Sequence, residues 1–254
     1  MEIHFIGTAS AKAEKNRFHS SFIVSSGDRK LLFDAGEGIS QGLLQAGVEF
    51  NSIDAIVISH LHADHAAGLP LLITQMKIAR RKKPLDIYVQ KALAENLKIL
   101  LSLFYIFPGK TDFRISIIPF NYDEKFKPAA NIALFPRKNS HIRNKYNLPP
   151  ETEIAFESAG FLITENNTRI YYTADIADKS ELNLFNDKAP THIITEAYHV
   201  SLPDIISFAS SSQAEKIFVT HYASDVELQL ASGIKNADLN VKLLLVKEGD
   251  KFHF

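Results

Sequence analysis

The segment His60-Leu61-His62-Ala63-Asp64-His65 places three imidazoles and a carboxylate directly behind the apolar run Ile53-Asp54-Ala55-Ile56-Val57-Ile58. That run reads as a buried strand. Its polar continuation is a poor design for a core, where every nitrogen and oxygen needs a partner. The six residues are therefore expected at the C-terminal end of the strand, where a rigid scaffold can aim side chains. Neutral imidazole nitrogen and carboxylate oxygen are the donors zinc takes when no thiolate is offered, and the chain has no cysteine. The plainer alternative is a strand-end loop whose histidines face water.

Strand-like stretches rich in Ile, Val, Phe and Tyr fall at 3–7, 21–25, 30–34, 55–59, 86–89 and 114–119, and again at 131–135, 154–164, 169–173, 192–195, 216–220 and 242–246. Helical periodicity marks 39–46, 69–80, 92–104 and 225–234, and a shorter helix follows Pro203 with Ile205, Ile206 and Phe208 turned inward. Hairpin-like strands, then strand–helix alternation, then a second set of the same kind predict a layered α/β sandwich of two mixed sheets with helices outside. No repeat, low-complexity segment or Gly/Ser linker interrupts the 254 residues, so a single domain over 1–254 is expected. The stretch 143–150 reads as the longest loop.

Bulk properties exclude some functions. A net charge of −1 argues against a broadly basic nucleic-acid coat. No apolar run approaches the roughly 18–20 residues that span a bilayer, and the start lacks a signal-peptide pattern. A soluble, cytoplasmic protein is the expectation, and the missing cysteines suit a reducing compartment. The apolar stretch 92–104 reads as core, with a homodimer face as the alternative.

A metal centre needs donors beyond one short motif. His141, Asp175 and His221 each stand at or just past the end of an expected strand. A lone strand-end Asp is more often a turn or cap residue, but joined to the cluster these residues make a set able to hold two divalent ions with a carboxylate between them. With Asp34 upstream, this order of residues resembles the metallo-β-lactamase-fold hydrolases over essentially the whole chain. Phe33-Asp34-Ala35-Gly36-Glu37-Gly38, His65-Ala66-Ala67-Gly68-Leu69-Pro70-Leu71-Leu72 and the opening Phe5-Ile6-Gly7-Thr8 are closest to the ribonuclease Z-like phosphodiesterase branch.

The resemblance implies a four-layer αββα sandwich and a set of roles. His60, His62 and His141 bind one zinc; Asp64, His65 and His221 bind the other, with Asp175 bridging. Asp34 holds a ligand histidine by its other ring nitrogen, the alternative being a strand-end turn residue before Gly36 and Gly38. Manganese or iron would suit the same donors. Glu196 orients His199, which supports the scissile phosphate or its leaving oxygen. Only Ala197 and Tyr198 separate that pair, a shorter connection than the branch usually has.

The implied reaction is attack by a hydroxide bridging two zinc ions on a phosphodiester, either transfer-RNA 3′ ends or a smaller molecule. The protruding arm of longer ribonuclease Z enzymes does not fit between His141 and Asp175. The run Arg80-Arg81-Lys82-Lys83 could touch phosphates, but a solvated helix cap is the better reading. Two alternatives stay open: a same-fold hydrolase of carboxylic esters, lactones, thioesters or sulfate esters, and, more remotely, a non-catalytic metal-bound interaction module.

Overall fold

The computed structural model describes residues 1–143, 154–237, 239 and 241–254. The first half of the chain supplies strands β1 (Glu2–Gly7), β2 (Ser21–Ser26), β3 (Arg29–Phe33), β4 (Ala55–Val57), β5 (Leu85–Gln90) and β6 (Ile115–Phe120). The second half supplies β7 (Ala133–Lys138), β8 (Ala159–Glu165), β9 (Thr168–Tyr172), β10 (His192–Glu196), β11 (Lys216–Thr220) and β12 (Lys242–Leu245). A last strand, β13 (Lys251–His253), returns to pair with β1, giving sheet orders β13-β1-β2-β3-β4-β5-β6 and β12-β11-β10-β9-β8-β7.

Each sheet begins antiparallel and continues parallel: β1–β2–β3 then β3 to β6, and β7–β8–β9 then β9 to β12. The parallel strands are apolar on both faces because both faces are covered. Phe22, Val24, Leu31, Phe33 and Val57 of the first sheet meet Phe161, Ile170, Tyr172, Ile194 and Phe218 of the second in one buried seam. The alternate residues Ile23, Leu32 and Ile56 pack outward against helices α1 (Ile39–Gln45), α3 (Leu69–Ile78) and α4 (Ala94–Leu103). Tyr171, Ile193 and Ile217 pack outward against α5 (Leu202–Ser211), which turns Ile205 and Phe208 inward and leaves Ile206 half-buried. The remaining helices are α2 (Ala63–Ala66) and α6 (Glu227–Asn236). This is the four-layer αββα sandwich expected from the sequence.

Several expectations need correction. The stretch 154–164 is not one strand: β8 starts at Ala159, and residues 154–157 ahead of it border a cleft. The apolar run 92–104 is half core, with Leu97 and Leu101 buried but Ile99, Leu103 and Phe104 exposed. The basic run is not a solvated cap throughout. Arg81 is buried, and its guanidinium donates to the carbonyls of Ile53 (2.9 Å), Lys83 (2.7 Å) and Pro84 (2.6 Å). The loop expected at 143–150 lies, beyond Arg143, outside the described residues. No helix among the described residues is long and apolar enough to cross a membrane.

Candidate metal centre

β1, β3, β4, β7, β9, β10 and β11 run in a common direction within their sheets, so their C-terminal ends gather at one rim of the sandwich. β4 delivers the six-residue cluster there. His62 is the extended residue before α2, and Asp64 and His65 fall within that single helical turn. The loop after β3 is stitched against it: Ala35 N–H donates to His65 O (2.7 Å) and Gly68 N–H donates to Ala35 O (2.9 Å). A Cβ at Gly36 would sit 2.0 Å from Asp64 O, so that contact requires glycine. Asp34, Ala174 and His221, each at or beside a strand end on this rim, take left-handed backbone with φ of 58°, 51° and 52°. Residues without a glycine's freedom adopt that region only where the surroundings enforce it.

Among the described residues the side chains gather into three overlapping groups: His60, His62, His141 and Asp175; Asp64, His65, His221 and Asp175; and Asp175, Glu196 and His199. Asp175 belongs to all three, and the first two each offer four donors. Its Oδ1 lies 3.2 Å from His65 Nε2, and its Oδ2 lies 3.4 Å from His221 Nε2 and 3.6 Å from His141 Nε2. Asp64 Oδ2 is 3.6 Å from His65 Nε2 and 3.7 Å from His221 Nε2, and His62 Nδ1 is 3.2 Å from His141 Nε2. Two atoms each about 2.1 Å from a tetrahedral ion stand about 3.4 Å apart, so the spacing suits shared ions.

The protein offers these nitrogens little else. Buried His60 Nε2, His65 Nε2 and both ring nitrogens of His221 have no hydrogen-bond partner among the described residues. Buried polar atoms are rarely left this way without a ligand to explain them. Burial, reinforced by the neighbouring imidazoles, holds His60 well below the ordinary imidazole range, and burial also pushes His62 down and His141 down to about 4. Those three rings therefore present lone pairs at neutral pH, the form a metal needs. Burial also opposes charge on His65, but Asp175 and Asp34 outweigh it and hold that ring well above the ordinary value. Asp175 is likewise desolvated, yet His221 and His65 hold it well below the usual carboxylate range.

Each remaining sequence candidate lies at this rim. Asp34 Oδ2 lies 2.9 Å from His65 Nδ1. Glu196, 1 % exposed, receives the amide of Ile176 (2.8 Å), just past Asp175, and the amides of Tyr198 (3.1 Å) and His199 (2.7 Å). The same carboxylate lies 2.9 Å from His199 Nδ1. The short Glu196–His199 connection thus folds into a turn around the carboxylate, and the His199 ring stands 4.7 Å from that of His141. The Glu196 hydrogen bond, partly opposed by burial, raises the His199 pKa.

Asn139 and Tyr198 are among the rim residues that the sequence does not mark. Asn139 donates from Nδ2 to the carbonyls of Thr173 (3.2 Å) and Asp175 (3.0 Å), tying the β7 end to the β9 end. Tyr198 packs its ring 5.0 Å from His199 and 6.2 Å from His221. Nothing in periodicity marks Asn139; Tyr198 was visible only as a spacer inside the Glu196–His199 segment. Beside the centre, a cleft of about 570 Å³ is bordered by Leu61, Leu93, Ile154 and Phe156, with Arg143 and Glu157 as its charged members.

The family model described as anti-Pycsar protein Apyc1 matches residues 1–240. The anti-Pycsar protein Apyc1 of Paenibacillus harenae is 28% identical over 239 residues, covering 89% of this chain and 92% of that protein. A ribonuclease Z of Methanothermobacter thermautotrophicus is 36% identical over 117 residues, but this covers 46% of this chain and only 37% of that protein's length. Among solved structures, the metallo-β-lactamase-fold protein YhfI of Bacillus subtilis superposes with a TM-score of 0.78 at 21% identity, over 99% of this chain and 98% of that one. The chain has the metallo-β-lactamase fold, near ribonuclease Z.

Proposed function

This chain belongs to the anti-Pycsar protein Apyc1 family, and from that premise we propose that it is a dinuclear metal-dependent phosphodiesterase that hydrolyses a small cyclic-nucleotide phosphodiester. The observation that carries this reading is Asp175, shared by two donor sets with the Glu196–His199 pair beside them. His60, His62 and His141 would hold one ion, and Asp64, His65 and His221 the other. Zinc is the ion we favour for this donor set. Bound there, the ions would supply a water acidified toward neutral pH and positive charge against the phosphate.

The rest of the chemistry belongs to side chains. Glu196 accepts the Nδ1 proton of His199, which leaves Nε2 to face substrate and favours the charged ring. As the phosphorus–oxygen bond to the sugar breaks, that ring hands its proton to the departing alkoxide. The water oxygen ends on phosphorus and its proton is released. Leu61, Leu93 and Phe156 give the cleft an apolar wall suited to a base, and its volume of about 570 Å³ falls in the range of small-ligand pockets. Residues 154–158 and the β8–β9 hairpin occupy the interval in which longer ribonuclease Z enzymes carry an arm, which favours a small substrate over transfer RNA.

The test is a substrate panel run on protein of known metal content: cyclic nucleotides, precursor transfer RNA, a chromogenic phosphodiester, a sulfate ester and a lactone. The expected result is metal-dependent opening of a cyclic nucleotide. Preferential cleavage of the transfer RNA or of the lactone would replace this reading.

A further inference from the structure

The buried Asp34 carboxylate collects four donors. Ser59 N–H reaches Oδ1 at 2.7 Å. Oδ2 lies 2.9 Å from Ser59 Oγ, 2.9 Å from His65 Nδ1 and 2.7 Å from Tyr172 Oη. Ser59 Oγ also lies 3.0 Å from His60 Nδ1. All five residues are buried, with Asp34, His60 and His65 at 0 % exposure.

These distances fix the protons. A carboxylate oxygen accepts only, so Ser59 must spend its hydroxyl hydrogen on Asp34; otherwise two lone pairs would face each other at 2.9 Å. Ser59 Oγ then has only a lone pair to offer His60, whose proton must sit on Nδ1. The same carboxylate holds the His65 proton on Nδ1. In the neutral rings that a metal takes, both Nε2 atoms, which have no hydrogen-bond partner among the described residues, then present their lone pairs toward the candidate metal centre. Tyr172 stands at the end of β9, in the second sheet, whereas Asp34 follows β3 in the first, so its bond spans the seam between the sheets.

We propose that Ser59 and Tyr172 are positioning residues tied to Asp34 that set one histidine in each half of the centre: Ser59, its hydroxyl oriented by Asp34, holds His60, and Tyr172 steadies the carboxylate that orients Ser59 and holds His65, making Asp34 the common hub of both half-sites. This rests on reading the two donor groups as metal sites. Ser59 serves the His60 half alone. Tyr172 fixes the carboxylate itself and so serves both.

The experiment is a titration of the metal-free chain with cobalt(II), followed by visible absorption and by competition with a chelator, on wild type, Ser59→Ala and Tyr172→Phe. Melting of the metal-free forms is measured in parallel. Lost outer hydrogen bonds to a ligand histidine typically cost about 10- to 100-fold in affinity. Ser59→Ala is expected to weaken one of two cobalt equivalents by that factor and leave the other within a few-fold. Tyr172→Phe is expected to weaken both and change the absorption bands of both. Titrations that superimpose on wild type overturn the proposal, even where melting falls, because the two residues then serve packing alone. A wild-type chain that binds no cobalt sinks the metal reading itself, an outcome distinct from the previous one.

Discussion

Glu196 holds His199 by a hydrogen bond of 2.9 Å to Nδ1 while also accepting the His199 backbone amide at 2.7 Å. The ring can therefore swing only with the turn that carries it. A group fixed in this way suits proton donation to one defined oxygen.

The pKa direction gives a pH test. His199 must carry a proton to donate one, and the Glu196 hydrogen bond raises its pKa above the ordinary imidazole value. The protonated fraction falls as pH rises through that raised value. Turnover of an alkoxide-leaving substrate should therefore decline on the alkaline side at a pH above the usual imidazole range. Glu196→Gln removes the charge and should move that limb to lower pH; an unmoved limb would show that another group titrates.

His199→Ala tests the same role by leaving group. A general acid of this kind is worth about 10²- to 10⁴-fold in rate. Turnover of the cyclic nucleotide should drop by that order with metal content unchanged. A nitrophenyl phosphodiester, whose leaving group needs no proton, should lose far less. Equal losses on both substrates would remove His199 from proton transfer.

Gly36 supports the cluster by closeness. Its Cβ position lies 2.0 Å from Asp64 O and 2.8 Å from His19 Cβ. Gly36→Ala should force α2 off the β3 loop, at an overpacking cost of about 1–3 kcal/mol, and weaken metal binding through Asp64 and His65. Chemical denaturation and metal titration together check this; unchanged values in both would mean the loop yields freely.

Arg81 provides a contrast away from the centre. Its guanidinium satisfies the carbonyls of Ile53, Lys83 and Pro84 beneath the α3 C-terminus. Arg81→Met keeps the apolar stem and strands those acceptors, at about 1–3 kcal/mol for a buried unsatisfied group. Denaturation midpoints should fall while turnover per folded molecule stays near wild type. A fall in turnover alone would instead point to phosphate contact.

The sequence was most legible where chemistry and strand ends coincide. His60 to His65 follow a fully buried strand, and Asp175 and His221 follow strands whose last residues are buried, so apolar runs located the rim and residue type marked its candidate donors. Runs of Ile, Val and Phe do not say which strand pairs with which, however. Residues 154–157 look like the start of β8 but lie ahead of it and border the cleft. Lys251–His253 is too short and polar to read as a strand, yet β1 supplies its pairing. Asn139, Ser59 and Tyr172 were invisible as site residues because their roles depend on hydrogen bonds between segments far apart in the chain.

The central claim is that one carboxylate, Asp175, serves two ions. Its most direct test is elemental analysis of the purified chain after dialysis in metal-free buffer, with cyclic-nucleotide turnover followed on the same samples as chelator strips the ions. The account requires two divalent ions per chain in wild type, turnover that vanishes as they are removed, and loss of tight binding in Asp175→Ala. Full turnover from a chain carrying one ion or none would contradict it.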